Sequence, residues 1–580
     1  MNYMRKISVA DYFVEVLIAN GITDVFGYQG GMIAYIFDSL GRYRDKINYH
    51  SCATEQGAAI AAASYAQASG KFGVAISTSG PGFTNLLTGI ADAWFDSIPV
   101  IYVSGNVNTK DKKRNSSFRQ NGFQEIQAAP MAAPITKKSI EVELNMDYVR
   151  LFDDAILTAL TDRRGPVYLD LPINVCREQV EFETITPVVV DRKDNVDAGK
   201  YISQVLAADK PVIIAGAGIK EAGKTESFRR LVNLMGIPVV TTMPAIDVLP
   251  TDSKYHMGYI GGTARREAGI VLQNADFIIS IGTRLCSKQI GHNMSLFAPK
   301  AAGFIRVDID EAEFERQLKP NEIDVCANLC SFIDSAVHYL ENTNYEKKHV
   351  KWSDNCTEMY RLLESVDMTV GNEMYKFISN LLPVDANIVL DVGKNLTYGT
   401  QSSVIKDSST LFMSAGLGTM GYAMPGAIGA YYGNKRPTFA LTGDGGAQMN
   451  IQELNTIAKN KLPIKIVVFN NKALGNIRIF QEQYLDSRFV ATSEMEGDYY
   501  SCDFSAIAEA YKIKSIKLSD YREIANYKSE LSNEEAVLFE IEYDDCPALP
   551  GIVAGGEYLK ENSGIEDRTI DKIKKLMGIE

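Results

Sequence analysis

The stretch RPTFALTGDGGAQMNIQELNTIAKNKLPIKIVVFNNKALG, residues 436–475, decides the fold. An apolar run at 437–441 leads into Thr442-Gly443-Asp444-Gly445-Gly446, a helical pattern follows, and a second apolar run at 464–469 ends in Asn470-Asn471. Short β-rich runs alternating with helices are the pattern of parallel α/β layers. In a parallel sheet both runs end on the carboxyl edge, where open α/β folds bind ligands. Asp444 and Asn471, 27 positions apart, should therefore meet there. With a backbone carbonyl they make a hard, all-oxygen set suited to magnesium, which takes phosphate oxygens for its remaining positions. The glycines let a diphosphate approach the backbone, and the helix start favours its charge. A GDG turn or an NN strand end alone is common; the two in this order and spacing are far more specific.

The same alternation extends outward in both directions. Strand-like runs GVAIST, IPVIYVSG and GPVYLDLP mark a first block, residues 1–184. PVIIAGAG, IPVVTT, ADFIISIG and GFIRVDID mark a central block, 198–342, and ANIVLDVG with the opening stretch and AVLFEIEY a third, 369–580. The expected fold is α/β, with three doubly wound parallel-sheet domains. Polar stretches near 191–195 and at ENTNYEKKHVKWSDNC, 341–356, read as separators. The first and third blocks could be two copies of one plan, but the sequence does not demonstrate it.

Composition narrows the function. A chain of 580 residues needs several cores. Its 46% hydrophobic and 23% charged residues are ordinary for a globular protein. A net charge of −13 argues against a dedicated nucleic-acid or membrane-surface binder. Eight scattered cysteines, of which only Cys326 and Cys330 lie close together, read as reduced thiols of a cytoplasmic protein. The N-terminus reads as an amphipathic helix, and no stretch approaches the roughly 20 apolar residues of a membrane span. Five histidines are too few for chemistry built on several of them.

Glu55 opens an Ala-rich helix in ATEQGAAIAAASYA, after the strand-like INYHSC. Read alone, it is a carboxylate at a helix N-terminus. Together with GDGG and NN it resembles the signature of thiamine-diphosphate enzymes, and the resemblance covers essentially the whole chain. It is nearest to acetolactate synthase catalytic subunits, through VFGYQGG (25–31), ATEQGAA (53–59), STSGPGFTN (77–85), GFQE (122–125), GPVYLDLP (165–172), AGLGTMGYAMPGAIGA (415–430), GDGG (443–446) and NNKALG (470–475). The resemblance implies that Glu55 hydrogen-bonds the aminopyrimidine and drives proton loss from the thiazolium. It further implies that Gly418 offers a carbonyl to the aminopyrimidine and that Met420 is the apolar wedge bending the cofactor. Phe123 and Gln124 fall where the family faces cofactor and substrate. Gly30, Pro81 and Asn85 accompany Glu55, and Lys394 and Asn395 lie near the diphosphate. Gly443, Asp444, Gly445, Gly446, Asn471, Ala473 and Leu474 bind it, with Asp444, Asn471 and the Ala473 carbonyl on magnesium. The family completes its site between two subunits, so a homodimer or homotetramer is implied. A regulatory subunit stays open.

The central block of that family binds FAD. Here Gly216 in AGAG, Gly282 and Arg284 in IGTRL, and Asp308 with Asp310 in VDIDEAEF sit at the corresponding positions; structural turns explain them equally well. On the acceptor side the chain departs from the family, with Gln29 for proline, Lys288 for an arginine, Asn476 for methionine and Phe480 for tryptophan. A basic run, 110–114, with Lys112 at its centre, precedes GFQE; a solvated loop is its plain reading. The alternative is that, with Lys288 and Arg478, it receives a phosphorylated acceptor. The leading reading is decarboxylation of pyruvate and carboligation of the two-carbon unit to an acceptor carbonyl. Its rivals are transfer to a larger anionic acceptor such as a nucleotide-linked keto-sugar, simple 2-oxo acid decarboxylation, and a non-catalytic binding protein of the same fold.

Overall fold

The computed structural model describes residues 4–113, 117–190, 194–364, 366, 368–544 and 565–579. It contains three six-stranded sheets, each wholly parallel, and a small antiparallel pair, Arg5–Ser8 with Gln179–Phe182. All twelve strand-like runs read from the sequence contain strands.

Numbered by appearance within each domain, the first and third sheets run 2-1-3-4-6-5, whereas the central sheet runs 3-2-1-4-5-6. The first and third domains are thus one plan used twice. The helices following their second strands, Glu55–Ser69 and Ala423–Asn434, pack face to face. A Cβ on Gly429 would lie 1.9 Å from the Ala61 carbonyl oxygen, so alanine and glycine let the two backbones meet. Ser64 and Tyr422 join their hydroxyls across the same seam at 2.9 Å.

Two elements depart from the sequence reading. Part of the supposed separator at 341–356 belongs to helix Val350–Glu364, which buries Trp352, Cys356, Met359 and Leu363. The last helix, Asp567–Met577, follows the third domain in sequence yet packs Ile573 and Met577 into this same central-domain cluster. Both helices are polar on average and bury one narrow face, which a search for apolar runs passes over. Among the described residues no helix is long and apolar enough to cross a membrane.

Candidate active site

The two strands of the opening stretch, Thr438–Gly443 and Ile464–Asn470, are neighbours, with Gly443 level with Phe469. Asp444 and Asn471 therefore leave adjacent strands at the same edge. Asp444 is buried, accepts a hydrogen bond from the Tyr499 hydroxyl at 3.1 Å, and burial pushes its carboxyl up to about 6. A desolvated carboxylate in that state gains strongly from a divalent cation. Ala473 is held by a bridge to Ser493, and Leu474 donates its amide to the Thr492 carbonyl at 2.8 Å. Asn395 lies against the turn: a Cβ on Gly443 would meet its Nδ2 at 2.5 Å, while Tyr375 donates to its Oδ1 at 2.7 Å. The stem of Lys394 lies 2.8 Å from where a Cβ of Gly475 would be, so Lys394 too is at this edge. Met420 and Leu474 approach the Gly445 position to 3.8 and 2.7 Å. Gly418 has φ +77 and sits on the exposed part of its loop.

Asp391, which sequence reasoning missed, ties these pieces together. It is buried at the end of strand Asn387–Leu390. It accepts from the amides of Val392 (2.9 Å), Gly421 (2.9 Å) and Ala423 (3.2 Å) and from the Thr442 hydroxyl (3.0 Å). Burial raises its carboxyl above the ordinary range. One carboxylate thus joins the glycine turn to the loop carrying Gly418 and Met420. Its signal was an acid ending an otherwise buried run, ANIVLD, at the carboxyl edge. The helical pattern after GDGG is two short helices, Asp444–Met449 and Glu453–Lys459, broken where Asn450 donates to the Gly421 carbonyl at 2.8 Å.

A second cluster lies on the first domain. Glu55 is the first residue of its helix, behind the Thr54 cap, and Asn85 donates to its Oε2 at 3.0 Å. Pro81 starts the helix that carries Asn85. Gly30 packs on Thr78, and Gly80 lies 3.1 Å short of Gln124 Cβ when given a Cβ. Gln124 adopts φ +64, and Phe123 is 79% exposed. The Thr78 and Ser79 hydroxyls are buried here with no partner among the described residues. Orphaned hydroxyls beside a carboxylate fit a polar ligand at this spot.

The acceptor-side expectation is revised. Lys112 donates to Glu141 at 2.6 Å and lies 3.5 Å from the buried Asp170, so its charge is already matched. Arg478 pairs with Glu496 at 2.7 Å and stacks on Phe489 at 4.0 Å. Lys288 is exposed on the central domain, where its carbonyl accepts from Gly262. Arg114 lies outside the described residues. Asn476 sits 3.9 Å from the Gly393 Cβ position, and Phe480 is 53% exposed against Tyr484.

In the central domain a cavity of about 250 Å³ opens at the carboxyl ends of strands Pro211–Ala215 and Phe277–Ile281. These are the neighbours between which the strand order reverses, the place where such sheets bind ligands. Gly218, Gly282, Arg284 and Asp308 line it. Gly216 and Gly282 also serve packing, since a Cβ on the first would lie 2.0 Å from the carbonyl oxygen of the second. Asp310 is taken by Arg163 at 3.2 Å.

Fold and clusters define a three-domain α/β protein with a buried acid on the glycine-rich carboxyl edge of its third sheet and a second carboxylate, Glu55, on its first domain. Family models for the N-terminal, central and C-terminal domains of thiamine pyrophosphate enzymes match residues 7–131, 199–335 and 391–541. The chain is 30% identical to the acetolactate synthase isozyme 2 large subunit of Escherichia coli (strain K12), over 96% of this chain and 100% of that protein. It is 32% identical to the acetolactate synthase large subunit of Lactococcus lactis subsp. lactis (strain IL1403), over 95% of each chain. The chain belongs to the thiamine pyrophosphate enzyme family.

Proposed function

We propose that this enzyme decarboxylates pyruvate and joins the two-carbon unit to a second 2-oxo acid, with thiamine diphosphate and magnesium. The observation that carries this reading is the pair of clusters, Glu55 with Asn85 on one domain and Asp444 with Asn471 on another, in a chain that matches acetolactate synthases over nearly its whole length. Asp444, Asn471 and the Ala473 carbonyl would hold the metal, and the turn 443–446 the diphosphate. Bound thiamine diphosphate supplies a carbon nucleophile for the 2-oxo group and a sink for the electron pair left as carbon dioxide departs. Glu55 holds a proton at the aminopyrimidine, oriented by Asn85. Met420 and Leu474 form an apolar wall that excludes water from the reacting carbon. Glu55 is paired with Asn85 of its own domain and Asp444 with Tyr499 of its own, which supports a site completed by a second copy of the chain, as a homodimer or tetramer.

Carboligation is favoured over simple aldehyde release by the placement of the histidines. His50 is buried on Asp24 and stacked on Tyr432, His256 and His349 are buried in the central domain, and His292 and His338 are on its surface. None stands in either cluster to protonate the intermediate carbon. A large anionic acceptor is disfavoured because Lys112 and Arg478 are already paired. The central cavity, at the switch point of a 3-2-1-4-5-6 sheet, supports FAD as a further cofactor, with Gly282, Arg284 and Asp308 around it. Visible flavin absorbance of the purified protein tests that part. The main reading is tested by incubating the enzyme with pyruvate, thiamine diphosphate and magnesium and identifying products by mass spectrometry. Acetolactate is expected; acetaldehyde alone, or intact pyruvate, would overturn it.

A further inference from the structure

The first and third domains each lend the other a carboxylate. Glu453 lies between the third and fourth strands of the third-domain sheet. Its Oε1 accepts from the amides of Ala53 (3.1 Å) and Thr54 (3.2 Å), just after the second strand of the first domain. Asp96 lies between the third and fourth strands of the first-domain sheet. It accepts from the amides of Ala415 (Oδ2, 2.9 Å) and Gly416 (Oδ1, 2.8 Å), just after the second strand of the third domain. The two contacts occupy corresponding places in two copies of one plan and point in opposite directions.

We infer that Glu453 and Asp96 are reciprocal positioning residues, each fixing across the domain boundary the two amides that precede the other domain's cofactor-facing groups. The inference rests on the reading of those groups given above. Glu453 fixes the start of the helix whose first residue is Glu55. Thr54, which it grips, also caps that helix by accepting from Gly57, and a Cβ on Gly57 would come within 2.1 Å of Glu453 Oε1. Asp96 fixes the loop that reaches Gly418 and Met420, with help from Asp92 one helical turn earlier. The Ser414 hydroxyl donates to Asp92 and accepts from the amides of Gly418 (3.0 Å) and Thr419 (2.8 Å). Glu453 and Asp92 are fully buried, so the Glu453 grip, and the Asp92 support beneath the second one, are not shared with bulk water, while Asp96 itself is half-buried. A displacement of about 1 Å at such groups can cost about 100-fold in rate.

The two grips differ in a way that makes the inference testable. At Glu453 both amides reach Oε1, and only Ala53 is shared with Oε2, at 3.2 Å; Oε2 also accepts from the Thr456 hydroxyl at 2.7 Å, a group that can also accept. Glu453→Gln therefore keeps the grip. At Asp96 each amide takes a different oxygen, so Asp96→Asn sets an N–H against an N–H and loses it. The experiment uses the full-length protein without cofactor and follows amide hydrogen exchange by mass spectrometry. Glu453→Ala should deprotect the peptide covering residues 53–54, and Asp96→Ala the peptide covering 415–416, with central-domain peptides unchanged. Glu453→Gln should restore protection and Asp96→Asn should not. In the loaded enzyme, Glu453→Ala, Asp96→Ala and Asp96→Asn should each lower kcat about 10- to 100-fold with KM within about threefold, and Glu453→Gln should return kcat to within about threefold. Unchanged protection at both peptides, failure of Gln to rescue, rescue by Asn, or deprotection spread through the central domain would each overturn the inference. A wild type that leaves pyruvate untouched would count against the proposed function alone, because the exchange measurement uses neither substrate nor cofactor.

Discussion

Asp391→Ala should separate the role of the acid beneath the glycine turn from that of the turn itself. The substitution removes the acceptor of three backbone amides, Val392, Gly421 and Ala423, and of the Thr442 hydroxyl, in a site closed to solvent. Each buried amide left unpaired costs about 1–3 kcal/mol. Relief of a desolvated carboxylate offsets part, so a net loss of about 2–4 kcal/mol is expected. Asp391→Asn keeps an oxygen where Oδ1 meets Val392 and Gly421 and can donate to Thr442, but it opposes the Ala423 amide, for about 1–2 kcal/mol. Because the same carboxylate joins the glycine turn to the loop of Gly418 and Met420, cofactor affinity should fall at least about tenfold in Asp391→Ala, equivalent to about 1.4 kcal/mol. Urea unfolding and a fluorescence titration with thiamine diphosphate measure the two effects. An alanine variant within about 1 kcal/mol of wild type, with unchanged affinity, would refute the reasoning.

Asp444→Ala should abolish magnesium-dependent cofactor binding while leaving the melting temperature of the cofactor-free protein equal or higher, since a desolvated carboxylate is lost; isothermal titration and thermal melts check this. Burial raises Asp92 and Asp96 well above the ordinary 3.8, with repulsion from Asp96 adding to it at Asp92, so the native state retains protons that the unfolded chain has released. Stability should therefore fall as pH rises from about 4 towards neutrality, and Asp92→Asn should flatten that slope in urea midpoints measured across the range. Lys112→Ala should cost about 1–3 kcal/mol by leaving the buried Asp170 without its cation, yet keep the KM for pyruvate within about twofold, as steady-state kinetics would show.

Interior strands such as Pro211–Ala215 and Ile464–Asn470 were legible in the sequence because they are mostly apolar and buried at every position. Two edge strands were not: Lys138–Glu141 and Glu322–Cys326 are half-exposed and mix charges with apolar residues, so no run marks them. The diphosphate cluster was legible because its residues sit at the two ends of one strand–helix–strand unit, whose parallel geometry forces them together. Asp391, Glu453 and Asp96 were not, because each acts on amides far away in sequence; Glu453 reaches Ala53 across 400 positions. The pairing of Lys112 was not legible for the same reason, since its partners Glu141 and Asp170 come from other elements. The shared plan of the first and third domains appeared only in strand order, as their residues share no repeat.

The central claim is that Glu55 handles the proton at the aminopyrimidine of a cofactor held by the Asp444 edge. The most direct measurement is exchange of the thiazolium C2 proton of enzyme-bound thiamine diphosphate, followed by NMR in wild type and Glu55→Gln. The account predicts that the variant still binds the cofactor, because the Asp444 edge is untouched, but exchanges that proton slower by about 100-fold or more, in line with loss of a positioned acid–base group. Exchange at the wild-type rate in a variant that holds the cofactor normally would contradict it.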